Sequence, residues 1–219
     1  MPPVTINVMG TVIPDSRVVK NLGVIMDTHL NFRAHIDHIT AKCTGILIGL
    51  IHAKHVIPAR ALPTIVQALV NSVIRYCMSV YGTCTDTQLH RVQKLLNFGA
   101  RVISGRRKYD HISDVLKDLQ WLDAHNLVRY HRLCLVHSVD TTGRPESIAD
   151  TLGDAAQHQY MTRAAGNHML PRIRTEAGRR RLCYSAVQDY DGLPINVNAR
   201  SFRSQLRKHL LRDQYGQNE

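Results

Sequence analysis

Cysteine is scarce in this sequence, and its five copies are scattered without the spacing of a disulfide framework. No secretory signal peptide opens the chain. The longest apolar run, residues 46–51, is far shorter than the roughly 20 residues that span a bilayer. These absences argue against the disulfide-rich secreted class and against a membrane-spanning segment, and we expect no membrane partner. We expect an intracellular protein, nuclear or cytoplasmic.

Acidic residues are also few, with 17 Asp and Glu against 28 Lys and Arg, a formal net charge of +11 and a pI near 9.8. Such an excess favours a polyanionic partner, because neutralising phosphates releases counterions and gives strong, salt-dependent affinity. Ribosomal, chromatin and membrane-surface proteins share this composition. Charge alone therefore indicates the kind of partner and not the function.

Recognisable catalytic and metal-binding patterns are missing as well. No Ser or Cys stands at the spacing of a nucleophile with its base. His131, Cys134 and His137 fall on one helical face, but structural zinc wants four ligands and no second pair accompanies them. We expect no cofactor in this chain.

The hydrophobic pattern predicts a mainly α fold. Residues 4–27 alternate and are rich in β-branched side chains, which predicts two or three short strands. Apolar residues at spacings of three and four then predict a series of helices. These are expected at 33–56, 60–80, 86–104, 113–119, 124–139 and from 199 onward. The expected fold is a small N-terminal β-hairpin or sheet, a multi-helix bundle and a basic C-terminal helix.

The segment from residue 88 to 121 joins an amphipathic helix to a second helix through an Arg-Arg-Lys turn. One face of the first helix is apolar, and the other face and the turn are cationic. Arginine forks at a helix end match phosphate oxygens, whereas the alternative is an ordinary solvated helix end. The candidate phosphate contacts in this segment are Arg91, Lys94, Arg101, Arg106, Arg107 and Lys108.

Three blocks of sequence carry a family resemblance. The first block, residues 18–36, has the sequence VVKNLGVIMDTHLNFRAHI. In the second block, residues 89–122, a spaced series of Leu, Gln, Asn, Ala, Arg and Ile precedes a His-Ile pair and a Trp-Leu pair. The third block, residues 193–203, has Leu-Pro followed by Ser-Phe-Arg. In this order they resemble the region after the catalytic motif of the palm in reverse transcriptases of non-LTR (LINE, jockey-like) retrotransposons.

The resemblance implies a role and a division of the chain. Residues 1–30 would be the last strands of a palm-like sheet and 31–139 a thumb-like helical bundle. Residues 140–160, acidic and interrupted by glycine and proline, are interpreted as a linker or irregular loop. Residues 161–219 would form a basic C-terminal segment with a terminal helix. Such a fragment of an RNA-directed DNA polymerase would bind an RNA template and a DNA primer or target DNA, and the upstream polymerase portion could be a further partner.

Polymerase chemistry is not expected from this chain alone. Nucleotidyl transfer in such polymerases needs two metal ions held by clustered aspartates. No Asp-Asp pair occurs in the sequence, and the family's aspartate motif would lie upstream of residues 20–23. Magnesium is therefore expected only in the missing catalytic part.

Further basic residues are weaker candidates for nucleic-acid contact. Lys20 would lie near a primer strand if the palm resemblance holds, and otherwise belongs to a strand edge. The run at 179–181 is an electrostatic strip, a nuclear localisation signal or a solvated loop. The terminal helix could pack through its leucines and present its arginines to a nucleic-acid backbone. These candidates are Lys20, Arg179, Arg180, Arg181, Arg203 and Arg207.

Two other interpretations stay open. One is an independent or domesticated helical nucleic-acid-binding protein, and the other is a decayed open reading frame without function. Asp123-Ala124 and Tyr190-Asp191 stand where the family usually has Pro-Val and Trp-Asn, which is consistent with decay. A bare apolar patch near Ile6, Val8, Val24 and Ile25 would favour a fragment over an independent fold.

Overall fold

The computed structural model describes residues 6–13, 16–153, 173–179, 181–195 and 201–216. It confirms the predicted fold class, a mainly helical chain with a small β portion at its start. Within the described ranges one hydrophobic core runs from Val24 in the β portion to Leu211 in the last helix. Trp121 is 3% exposed and belongs to this core.

The β portion consists of two separate antiparallel hairpins. Strand β1 (Ile6–Val8) pairs with β2 (Thr11–Ile13), and β3 (Val18–Asn21) pairs with β4 (Val24–Asp27). Four strands thus replace the two or three expected. Each turn has two residues with positive φ, the second of them glycine, which is the backbone that tight hairpins require. The Leu-Gly turn between β3 and β4 was missed because leucine carries no turn signal.

Helix α1 (Arg33–Ala53) supports the second hairpin. It follows Phe32, a buried residue in the left-handed conformation, and its apolar stripe enters the core. Val24 of β4 is 4% exposed and belongs to the same core, and Ile25 is half-buried. The patch whose exposure would favour a fragment is therefore covered at Val24 and partly covered at Ile25, while the side chains of Ile6 and Val8 lie outside the described part.

The predicted helix over 60–80 is wrong as a single element. The chain forms α2 (Leu62–Val66), a π-helical turn (Gln67–Asn71), α3 (Ser72–Arg75) and α4 (Met78–Tyr81). Tyr76 is extended and Cys77 is left-handed, so the helix breaks between α3 and α4. The buried Tyr81 hydroxyl donates to the Ile74 carbonyl, which an unbroken helix would have used for its own backbone bond. No glycine or proline announces this break.

Helices α5 (Asp86–Ser104), α6 (Ser113–Asp118) and α7 (Ala124–Thr142) confirm three predicted helices, with α7 one turn longer than expected. Helix α5 lies parallel to α1, because one contact joins the starts of the two helices and another joins their ends. Arg91 pairs with Asp37 at 2.6 Å near the two starts, and the Nζ of Lys54 donates to the Val102 carbonyl at 3.0 Å near the two ends. Residues 54–85, which include α2 to α4, form the crossover between them.

The interpretation of residues 140–160 as a linker or irregular loop is wrong for its described first part. Helix α7 continues to Thr142, and α8 runs from Glu146 to Gly153. Pro145 stands just before α8, where its missing N–H costs little. Ile148 and Ala149 are half-buried against the core, so tertiary packing stabilises a helix whose composition suggested a loop. Residues 154–160 lie outside the described part.

The described C-terminal residues pack on α7. They form α9 (Glu176–Arg179), a π-helical turn (Leu182–Ala186), α10 (Val187–Asp191) and α11 (Phe202–Tyr215). The Phe202 ring stacks on His137 of α7 with ring centres 3.9 Å apart. The terminal helix buries the four apolar residues that its periodicity predicted, Phe202, Leu206, Leu210 and Leu211.

Candidate nucleic-acid interface

Helix α5 separates core residues from basic residues around its axis. Leu89, Val92, Leu96 and Ala100 are buried, as the spacing predicted. His90, Lys94, Asn97, Phe98 and Arg101 recur at steps of three and four on another face, so their side chains stack along one side of the helix.

The turn after α5 is held in a defined conformation. Gly105 is left-handed with φ of 74° and donates its N–H to the Arg101 carbonyl at 2.8 Å, a geometry with which glycine commonly ends a helix. The Nη2 of Arg101 donates to the Asp110 carbonyl at 3.2 Å, and the Arg107 N–H donates to the Asp110 carboxylate at 2.7 Å. The basic turn is therefore fixed to the end of α5.

A concave groove lies where the C-terminal ends of α1 and α5 meet this turn, and we call it the α1–α5 groove. Its volume is about 830 Å³. None of its lining residues is acidic. They are Ile51, Lys54, His90, Lys94, Asn97, Phe98, Arg101, Val102, Gly105, Arg106, Lys108 and Tyr109.

The cations of the groove come from three segments. Lys54 arrives from the end of α1, Lys94 and Arg101 from α5, and Lys108 from the turn. Cations are favoured at this place because the C-terminal end of a helix carries partial negative charge, and two such ends meet here. This structural role of the cations is compatible with phosphate contact, because the same side chains line the groove.

Two of the predicted contacts in this region are engaged in ion pairs. Arg106 lines the groove, but its guanidinium pairs with both carboxylate oxygens of Asp114 and holds the pKa of that carboxyl below its usual range. Arg91 pairs with Asp37 and does not line the groove. Arg107 is exposed and also lies outside the lining. The structure thus brings together Lys94, Arg101, Arg106 and Lys108 among the six candidates.

The remaining candidates lie elsewhere on the molecule. Lys20 of β3 is exposed and lines a second depression, together with Lys42 and Tyr76. Arg179 and Arg181 are exposed, and Arg180 lies outside the described residues. Lys20, Arg179 and Arg181 do not line the α1–α5 groove.

The two candidates on the terminal helix belong to a separate basic cluster. Arg203 is exposed, whereas Arg207 is half-buried and donates to the Gln120 carbonyl at 3.0 Å. Burial, and next the guanidiniums of Arg75 and Arg203, lower the pKa of His131 to about 4. This cluster keeps His131 neutral at physiological pH.

Sequence reasoning missed Lys54, His90, Phe98 and Tyr109 as groove residues. His90 and Phe98 were recoverable, because they share a helical face with Lys94 and Arg101. Lys54 and Tyr109 were not, since their place depends on the parallel pairing of α1 with α5 and on the path of the turn.

Neither a metal site nor a membrane-spanning helix is found among the described residues. There, no three His, Cys, Asp or Glu side chains converge in a way that could hold a metal ion. None of the helices in the described part is both long and apolar enough to cross a membrane.

Comparison with known proteins gives one similarity in sequence. The chain is 29% identical over 179 residues to the RNA-directed DNA polymerase from mobile element jockey of Drosophila funebris. The aligned part covers 78% of this chain and 19% of that polymerase, so the chain spans less than a fifth of its length. No protein-family model and no solved structure matches the chain. The chain is thus related in sequence to a retrotransposon polymerase, and the similarity does not assign it to a thumb region.

Proposed function

We propose that the chain is the thumb-like part of a retrotransposon RNA-directed DNA polymerase and binds the template and primer through their backbones. The observation that carries the proposal is the α1–α5 groove, which gathers Lys54, Lys94, Arg101 and Lys108 without an acidic residue in its lining. Phosphate contacts fix the position of a nucleic acid without reading its sequence. Binding should therefore be insensitive to sequence and weaken steeply with salt.

The partners follow from the same proposal. RNA template with DNA primer or target DNA would lie on the basic surface, in the nucleus or the cytoplasm. The catalytic aspartates and magnesium would belong to an upstream polymerase portion. Val12, Val18 and Val19 are exposed on the hairpins, and each two-stranded sheet has unpaired edges that further strands of that portion could extend.

The test is a salt titration of binding to an RNA–DNA hybrid. The groove variant carries Lys94→Ala and Lys108→Ala, two exposed lysines of the lining, and the control carries Arg33→Ala and Lys117→Ala, two exposed cations outside it. Each lost phosphate contact reduces the slope of log affinity against log salt by about 1. We expect a slope shallower by about 2 in the groove variant and little change in the control. Equal slopes in both variants would contradict phosphate contact in the groove.

A second candidate function is an independent helical nucleic-acid-binding protein. The covered Val24 and the continuous core favour a chain that folds without further strands. Urea unfolding of the isolated chain separates the two candidates. One cooperative transition of a monomer supports independence, whereas association through the hairpins supports a fragment that lacks its neighbours.

A further inference from the structure

The α1–α5 groove contains aromatic rings as well as cations. Tyr109 is 88% exposed, although large aromatic side chains are usually covered, and Phe98 lines the same groove half-buried. The Nζ of Lys108 lies 5.4 Å from the centre of the Tyr109 ring. Contact with the backbone of a duplex needs cations but no exposed ring. The exposed Tyr109 therefore indicates a ligand that has a group able to stack on the ring.

The shape of the groove also limits what can enter it. Its volume of about 830 Å³ falls in the range of roughly 300–1,000 Å³ that small-molecule sites occupy. Unpaired bases are free to leave their stack and lie on an aromatic side chain, whereas paired bases inside a duplex are not. A ring beside cations in a concave site therefore suits an unpaired strand.

We propose that the groove binds an unpaired stretch of nucleic acid, with one base stacked on Tyr109 and the adjoining phosphates on Lys94 and Arg101. The proposal rests on the proposed function and specifies the ligand of the same site. Arg101 lines the groove, and its Nη2 donates to the Asp110 carbonyl at 3.2 Å, which fixes the guanidinium beside the turn that carries Tyr109. Stacking tolerates every base, which keeps the binding insensitive to sequence.

The experiment measures fluorescence anisotropy with three labelled probes of about 12 nucleotides, a length within the site sizes of single-strand-binding folds. They are a single-stranded RNA, a blunt RNA–DNA hybrid and a hybrid with an unpaired overhang. Tyr109→Ala should weaken the single strand and the overhang by roughly 5- to 150-fold and leave the blunt hybrid unchanged. Tyr109→Phe keeps the ring and should bind like the parent chain.

A crosslinking measurement locates the base independently of affinity. A 5-iodouridine in the unpaired strand, irradiated in the complex, should attach to the ring on which it stacks. Digestion with trypsin should then place the crosslink in the peptide 109–117, which begins with Tyr109. A crosslink confined to other peptides would overturn the stacking.

The failures of the two proposals are distinguishable. If Lys94→Ala with Lys108→Ala weakens every probe while Tyr109→Ala weakens none, stacking is wrong and backbone contact stands. If Tyr109→Ala weakens the blunt hybrid as much as the single strand, selective binding of unpaired nucleotides is wrong. If neither variant changes any probe, the groove is not the interface and both proposals fail.

Discussion

The free energy of unfolding should fall between pH 7.5 and 5, because His131 takes up a proton more readily in the unfolded chain than in the folded one. Its Nε2 is covered without a hydrogen-bond partner in the described part, and its pKa falls from 6.5 to about 4 because of burial and then of Arg75 and Arg203. The unfolded chain binds the proton near pH 6.5, whereas the folded chain resists it until about pH 4. Stability contributed by the neutral ring is therefore present above pH 6.5 and is lost as the pH falls toward 4.

The size of the stability loss follows from the two pKa values of His131, in the unfolded and in the folded chain. Their difference, 6.5 minus about 4, corresponds to about 3.4 kcal/mol at 1.36 kcal/mol for each pH unit. Solvent screening at a half-buried ring reduces the effect, and only part of it develops by pH 5. We expect His131 to account for roughly 1–2 kcal/mol of the stability lost between pH 7.5 and 5.

Urea unfolding at pH 7.5, 6.5, 5.5 and 5 measures the effect in the parent chain, in His131→Gln and in His125→Gln. His125 is the control, because it lies on the same helix but is exposed. His35 is buried with a lowered pKa and should leave a residual pH dependence in all three chains. A His131→Gln chain that loses as much stability as the parent over this range would refute the reasoning.

Three further predictions concern packing, capping and thiol reactivity. Gly82→Ala would place a Cβ 2.7 Å from the Val128 side chain and should lower the free energy of unfolding in urea by about 1–3 kcal/mol. In Gly49→Ala the new Cβ meets nothing within 4 Å, so this variant should raise the free energy of unfolding by about 0.5–1 kcal/mol through α1. Asp123 accepts a 2.7 Å hydrogen bond from the first turn of α7, so Asp123→Ala should lower the free energy of unfolding by about 1 kcal/mol and Asp123→Asn by less. Burial raises the pKa of the Cys43 thiol to about 11, and this cysteine should resist alkylation at pH 8 until urea unfolds the chain, as peptide mapping would show.

The elements that the sequence predicts well are those whose signals are local. Helix α5 has an apolar stripe and a glycine at its end, and the structure places Leu96 in the core and Gly105 in the left-handed conformation. The terminal helix likewise buries Phe202 and Leu206 as its periodicity indicates. Spacing along one helix is enough for such predictions.

The features that escape sequence reasoning depend on particular side-chain contacts and not on the spacing of apolar residues. At the break between α3 and α4 the Tyr81 hydroxyl donates to the Ile74 carbonyl, and in α8 Ile148 packs against the core. In the groove, the ion pair of Arg106 with Asp114 and the arrival of Lys54 at the end of α5 both require the tertiary arrangement. The spacing of apolar residues along a helix does not predict these contacts.

The parallel pairing of α1 and α5 makes the groove a non-local structure. Lys54 begins the crossover and Arg101 lies beyond it. Bringing the two residues together costs loop-closure entropy, which packing of the crossover helps to offset. A strand bound at 100 times its dissociation constant would stabilise the folded chain by about 2.7 kcal/mol. Occupancy of the groove and integrity of the whole crossover are therefore thermodynamically linked, so nucleic acid should protect α2, α3 and α4 from hydrogen exchange although it contacts none of them.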